Sequence, residues 1–433
     1  MIHEQLYTKI KQEKANGHFV FPYYGKFSIS ELAPTLLRRF GVNTNREGFP
    51  ENFLKRKQSE SEKVVLFMVD GFGYDHFLEH YKNIEFYNLL AERGEVFPIT
   101  SVFPSTTSAA LTCIHTGLTP QEHGLPEWTV FFEEVDKIIQ TIPFTYDPSH
   151  SRDSVLEIGG APEMLYEGDT IYERLRLEGT MVYSFMPYDL TEGAYTRMTK
   201  KGAVLVGYVN GTDLVNKLKE KLETERGPGY YFVYWTQIDS VQHHFGPNSP
   251  EHIQQMKDFS YLATKFINET DTEKTGEVLV MMVSDHGQRD ISGDKIIYLN
   301  DYLPLQENYR KSQKGTMILP SGSPHDVFLF VDPAKLEETK TRLQEHLRGK
   351  ADVILIEEAI RKGIFGLNDP SVKFLRRIGN LLVLPYDGCH VWYKHSPEDV
   401  YHLKGMHGGA SEKEMFVPLA NARLEDLKAG AMV

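Results

Sequence analysis

Three uninterrupted apolar runs, each stopping abruptly before an acidic turn, constrain this chain more than any other feature. Residues 64–69, 231–235 and 278–283 are built from Val, Leu, Met, Phe, Tyr and Trp without alternation, and Asp70, Asp239 and Asp285 follow them. A strand with one wet face alternates apolar and polar residues. A strand apolar at every position is covered on both faces, which is the pattern of parallel strands joined by helical crossovers. Residues 211–224 and 249–268 have the amphipathic spacing of such crossovers. The expected class is therefore α/β. Ligands of open α/β sheets bind beyond the carboxyl ends of the strands, so Asp70, Asp239 and Asp285 are expected to meet in one crevice. A single Asp after a strand is by default a turn residue or a helix cap; the recurrence is what gives these three their weight.

Between about residues 291 and 401 the texture changes. Residues 327–331 read as a strand, 333–348 as a charged helix, 353–356 as a strand, and 380–384 and 390–393 as further strands, with Pro320, Gly322 and Pro324 at the entry. This is the pattern of a small α+β unit, and the core pattern resumes near Gly405. The expected organisation is a catalytic core over residues 1–292 and 399–433, interrupted by an inserted cap over residues 293–398.

Composition narrows the partners. With 41% hydrophobic residues among 433, the chain can bury a large core, and its net charge of −13 opposes the phosphate backbone of a long nucleic acid. A small anionic substrate remains compatible, because bound cations reverse the charge of a pocket locally. Residues 1–14 contain no apolar core of signal-peptide length, and no stretch approaches the roughly 18 apolar residues that span a bilayer. A cytoplasmic protein without a membrane span is expected. Cys113 and Cys389 lie in no metal-ligand spacing, and both are expected to be buried thiols.

The chemistry gathers in short turns. In Asp239-Ser-Val-Gln-His243, a helix would place positions 239 and 243 on one face, where they can share a cation. Ser284-Asp285-His286-Gly287 ends another apolar run, and Gly405-Met-His407-Gly-Gly409 lies near the C-terminus. Three Asp and three His, with no thiolate, suit Zn²⁺ or Mn²⁺. Two divalent ions against three carboxylates leave a centre of about +1, which attracts phosphate and stabilises charge growing on its oxygens. The nucleophile is expected where a loop enters a helix. Residues 102–117 offer this, with Pro104 stopping a strand, Ser105 to Thr107 at the cap and Gly117 as terminator. The helix N-terminus presents free N–H groups to an anion. A Thr hydroxyl beside a cation gains the alkoxide character it lacks alone.

These segments resemble the alkaline phosphatase superfamily, and more closely its type I phosphodiesterase and nucleotide pyrophosphatase branch. Val69-Asp70-Gly71-Phe72 is similar to the first metal-binding turn. Phe103-Pro-Ser-Thr-Thr107, with Thr116-Gly-Leu-Thr-Pro-Gln-Glu-His123-Gly, is similar to the nucleophile segment. Residues 239–246, 284–287 and 407–408 follow in the family's order. The resemblance implies a mixed, mostly parallel sheet sandwiched by helices, with an inserted cap. It further implies that Asp239, His243 and His407 hold one zinc ion while Asp70, Asp285 and His286 hold another with Thr107. Attack by Thr107 on a small phosphodiester or nucleotide pyrophosphate would give a phosphothreonine, later hydrolysed by water with overall retention at phosphorus.

The chain departs from the family at Ala110, where the pattern places an Asn, so a phosphate oxygen needs another donor such as the N–H of Ser108. His123 and His244 are not expected as ligands. Trp128, Phe131 and Phe132 are expected in packing rather than in a stacking wall for a base. A phosphomonoesterase or phosphonate hydrolase is the nearest rival, although no Arg stands beside Thr107 to hold further phosphate oxygens. A catalytically silent binding protein is the rival from another class.

Overall fold

The computed structural model describes residues 1–57, 59, 62–146, 149–302, 305–396 and 401–428. Among them, seven strands form the central sheet: β1 Lys63–Val69, β2 Glu95–Thr100, β3 Met181–Pro187, β4 Val204–Tyr208, β5 Gly229–Trp235, β6 Val278–Val283 and β7 Phe416–Arg423. Their order is β2-β7-β6-β1-β5-β3-β4, and only β7 runs against the others. The three apolar runs become adjacent strands at the middle of the sheet. Every residue of β1, β5 and β6 is buried, as continuous apolarity requires of strands covered on both faces.

Successive side chains of a strand point to opposite faces, which shows where the helices lie. Leu66 and Phe232 are register partners, as are Phe67 and Val233. Phe67 meets Phe259 and Phe266 of helix α4 (Pro250–Glu269), whereas Phe232 meets His115 of helix α1 (Thr107–Thr116). The two helices therefore cover opposite faces. Helix α2 (Gly211–Thr224) buries Leu214, Val215, Leu218 and Leu222. Leu66 sits in this core with no exposed surface. Leu66→Ala is expected to cost about 2–5 kcal/mol, read as a lower denaturant midpoint at unchanged slope.

Residues 321–385 carry a second, antiparallel sheet of Ser321–Ser323, Asp326–Leu329, Leu381–Pro385 and Ala351–Leu355, in that spatial order. Its two faces differ in allegiance. Val327, Leu329, Leu381 and Val383 join a separate cluster with Leu343 and Leu347, while Phe328, Leu382 and Leu384 join the main core. The segment is thus fastened to the core along a whole sheet face, more tightly than a free-standing unit would be. The charged helix is shorter than expected, Leu336–His346, because Asp332 accepts from the N–H of Ala334 and closes a separate tight turn at Pro333–Lys335. The expected boundary between residues 398 and 399 lies outside the described residues. Among the described residues no helix is long and apolar enough to cross a membrane. Cys113 is buried, but Cys389 is only partly so, a correction to the expectation of two buried thiols; it follows a turn at Gly388, where φ is positive.

Candidate metal centre and nucleophile

The adjacency of β6, β1 and β5 explains why residues more than two hundred positions apart meet. Register partners Met68 and Val283, and Val69 and Trp235, set the strand ends level, so Asp70 and Asp285 emerge side by side. After β5 the chain turns into helix α3 (Gln237–Phe245), whose first turn carries Asp239 and whose last carries His243. The approach is tight at Gly71, where φ is +72° and a Cβ would lie 2.8 Å from that of Asp239. Only glycine combines that backbone with that distance.

Thr107 is the first residue of α1, while the cap itself is Thr106, whose side chain accepts from the N–H of Ala109. The Thr107 hydroxyl is therefore free of capping duty. It lies 3.0 Å from His286 Nε2 and 3.5 Å from Asp70 Oδ1. His286 Nε2 is 3.5 Å from Asp70 Oδ1 and 3.4 Å from Asp285 Oδ2. Four of the six separations among these donor atoms are thus 3.0–3.5 Å, close to the edge of about 3.4 Å that a tetrahedron of ligands around a cation at about 2.1 Å requires. Asp285 Oδ2 is buried and has no hydrogen-bond partner among the described residues, as suits an oxygen reserved for a cation.

Beside this group, Asp239 Oδ1 lies 3.3 Å from His243 Nε2 and 3.7 Å from His407 Nε2. Asp239, His286 and His407 also fall within mutual ligand reach, as do Asp70, Asp285 and His286. The rings of His286 and His407 stack at 3.6 Å, so His286 stands at the junction of the two groups.

Each of the three imidazoles is fixed through its other nitrogen. Nδ1 faces the carbonyl of Gly287 for His286 at 3.0 Å, of Gly405 for His243 at 2.8 Å and of Ser105 for His407 at 3.0 Å. A carbonyl only accepts, so Nδ1 carries the proton and Nε2 keeps its lone pair toward the centre. The Thr107 hydroxyl accordingly donates to His286 Nε2.

Electrostatics favour a cation here. Burial, and then the charges of Asp285 and Asp239, push the Asp70 carboxyl well above its usual range. Burial pushes Asp239 up to about 6, partly offset by His243, and raises Asp285 as well. Burial drives His286 down to about 3 and His407 well below its ordinary value. Three crowded carboxylates without counter-charge hold protons they would otherwise release, and a divalent ion reverses that. Since a cation binds the deprotonated carboxylate, protons compete with it as pH falls through about 6. Metal affinity is expected to fall with falling pH by about tenfold per pH unit for each carboxylate that takes up its proton, Asp239 doing so near 6, measured by chelator competition. An unchanged affinity at pH 5 would exclude Asp239 as a ligand.

Some contributors escaped the sequence reading. The Tyr234 hydroxyl donates to Asp70 Oδ2, Gln288 Nε2 donates to Asp239 Oδ1 at 3.0 Å, and Ser284 Oγ accepts from Phe72 N–H at 2.8 Å. Tyr234 lay inside an apolar run and read as core; its place just before the Asp239 turn was the available signal. His123 turns both nitrogens to backbone, at Ala109 and Leu125, and exposed His244 faces the carbonyl of Ser240. Phe131 packs on Phe330 and Phe132 lies under the Arg377 guanidinium, whereas Trp128 is partly exposed. Ala110 is buried and offers no donor. Ser108 instead bonds Thr141 through its hydroxyl at 2.7 Å.

The family model for type I phosphodiesterase / nucleotide pyrophosphatase matches residues 64–410. Human ectonucleotide pyrophosphatase/phosphodiesterase family member 5 is 23% identical over 256 residues, covering 57% of this chain and 49% of that protein. Rat family member 3 is 22% identical over 288 residues, covering 65% and 30%. The chain thus spans about half the length of the first relative and less of the second. Among solved structures, murine ectonucleotide pyrophosphatase / phosphodiesterase 5, as an inactive threonine-to-alanine variant in complex with AMP, superposes with a TM-score of 0.62 at 20% identity. The match covers 83% of this chain and 87% of that one. The human counterpart gives 0.61 at the same identity and coverage. The expected alkaline-phosphatase-like fold is the fold observed, and the chain belongs to the type I phosphodiesterase / nucleotide pyrophosphatase family.

Proposed function

We propose that this chain hydrolyses small phosphodiesters or nucleotide pyrophosphates, with Thr107 as nucleophile beside two divalent cations, zinc being the ion that the donor set suits best. The observation that carries the reading is the spacing of Thr107, Asp70, Asp285 and His286 as edges of one coordination polyhedron. Asp239, His243 and His407 form the neighbouring set. When bound, the cations supply the positive charge that favours the Thr107 alkoxide and offsets charge growing on the phosphate oxygens.

Thr107 is aimed by its place in the first turn of α1, where the helix N-terminus and its free N–H groups face an incoming phosphate. The Thr107 oxygen forms a bond to phosphorus as the bond to the leaving alcohol or phosphate breaks in line. Water then attacks the phosphothreonine, and the P–O bond to Thr107 breaks. Two in-line displacements return the original configuration at phosphorus. The AMP held by the murine relative supports a nucleotide as one half of the substrate. Residues 293–398 are proposed to act as the cap over this site; Ser323 reaches the carbonyl of His407 at 3.3 Å.

Comparison of bis- and mono-nitrophenyl phosphate with the metal-loaded protein tests the reading. A diester preference is expected in kcat/KM. A strong monoester preference would transfer the chain to the phosphomonoesterase class.

A further inference from the structure

The loops behind His286 and His407 come from distant parts of the chain, and one side chain outside both ligand sets joins them. Glu414, in the short helix Glu412–Met415 before β7, has no exposed surface. Its Oε1 accepts from Gly409 N–H at 3.0 Å and from His325 Nδ1–H at 2.6 Å. Its Oε2 accepts from Ser411 N–H and Arg289 Nε–H, both at 3.2 Å. Its main-chain carbonyl accepts from Gly287 N–H at 2.9 Å. Gly409 lies two residues after His407, and Gly287 directly follows His286, whose Nδ1 rests on the Gly287 carbonyl. One residue therefore anchors the backbone next to both histidines, at Gly287 and at Gly409.

The fourth donor reaches across from the inserted segment. Burial holds His325 down at about 4, so it stands neutral, donating from Nδ1 and facing His390 Nδ1 with its Nε2 at 3.0 Å. A carboxylate offers about four lone-pair sites, and here a donor meets each of them. Glutamine at this position would turn an N–H₂ group onto two donors and leave buried N–H groups unpaired.

We infer that Glu414 is a positioning residue for the centre: it holds the His286 and His407 loops in one register and ties that register to the inserted segment through His325. This inference rests on the proposal that these histidines ligate cations. The two rings stack at 3.6 Å, so a slip of either loop moves the other's ligand nitrogen.

The test measures zinc affinity by chelator competition on the full chain, alongside the melting temperature of the metal-free protein. Glu414→Gln is expected to weaken affinity by about 10- to 100-fold, the range typical of partners behind metal ligands, with turnover recovering at saturating metal. His325→Ala removes one donor without touching either loop and is expected to weaken affinity by about three- to tenfold; His325→Gln, which can still donate, should recover part of that loss. A merely structural Glu414 would lower the melting temperature and leave the affinity of the folded fraction unchanged. Wild-type affinity in folded Glu414→Gln overturns the inference, and if that variant does not fold, wild-type affinity in His325→Ala does so. A wild-type chain that binds no divalent ion removes the functional reading itself, an outcome separable from the others.

Discussion

Replacing Thr107 by Ala is expected to lower diester turnover by about three to five orders of magnitude, the scale seen when a covalent nucleophile is removed. The fold should be indifferent. Thr107 occupies the first position of α1, the cap belongs to Thr106, and alanine is the best helix former available. The neighbouring candidate ligands Asp70, Asp285 and His286 keep their own supports in Tyr234, Gly71 N–H and the Gly287 carbonyl, so metal content should stay near that of the wild type. Steady-state kinetics with elemental analysis of the same sample read both quantities. Turnover within tenfold of wild type would remove Thr107 from the chemistry.

Asp285→Asn should produce the second large effect, with a diagnostic inversion. The variant keeps an acceptor for the N–H groups of Gly71 and His286, which bond Asp285 Oδ1 at 3.1 and 3.0 Å. In place of the unpartnered Oδ2 it sets an N–H₂ group 3.4 Å from His286 Nε2. An amide nitrogen does not ligate. One cation per chain is therefore expected to be lost, and turnover to fall by about three orders of magnitude. The metal-free variant should nonetheless melt higher than the metal-free wild type, because a fully buried carboxyl crowded by Asp70 is replaced by a neutral amide. Calorimetry with and without chelator measures this. A variant that melts lower than wild type in both states would mean that Asp285 is structural.

How much of this was readable beforehand depends on whether local pattern or tertiary contact decided the matter. The strands β1, β5 and β6 and the helices α2 and α4 follow from unbroken apolar runs and amphipathic spacing, and the structure places them within a residue or two. The strands β2 and β7 were not legible in the same way. Each carries a proline, and Pro98 and Pro418 face each other in register, so a rule that demotes proline-containing runs discards both partners of a true pair. Strand β4 lies at the sheet edge with Val204 half exposed, which dilutes its apolar signal.

The candidate ligands could be picked out because Asp and His recur in short turns that follow the apolar runs. Their supports were not. Which carbonyl receives an imidazole N–H is decided by loops that meet only in the folded chain. Glu414 was hidden more thoroughly, since Ser411 to Glu414 is a complete capping box and helix capping accounts for both residues without any further role.

Strand β7 has a consequence for how the molecule is made. It lies between β2 and β6, yet it is translated after both and after the inserted segment. Until residue 416 has left the ribosome, two strands of the central sheet present bare edges to each other across an empty lane, and edges of that kind invite pairing with other chains. The contact that closes the lane joins residues more than three hundred positions apart, the sort of non-local pairing that makes folding slow. A chain cut short before residue 416 therefore leaves β2 and β6 without the strand that joins them.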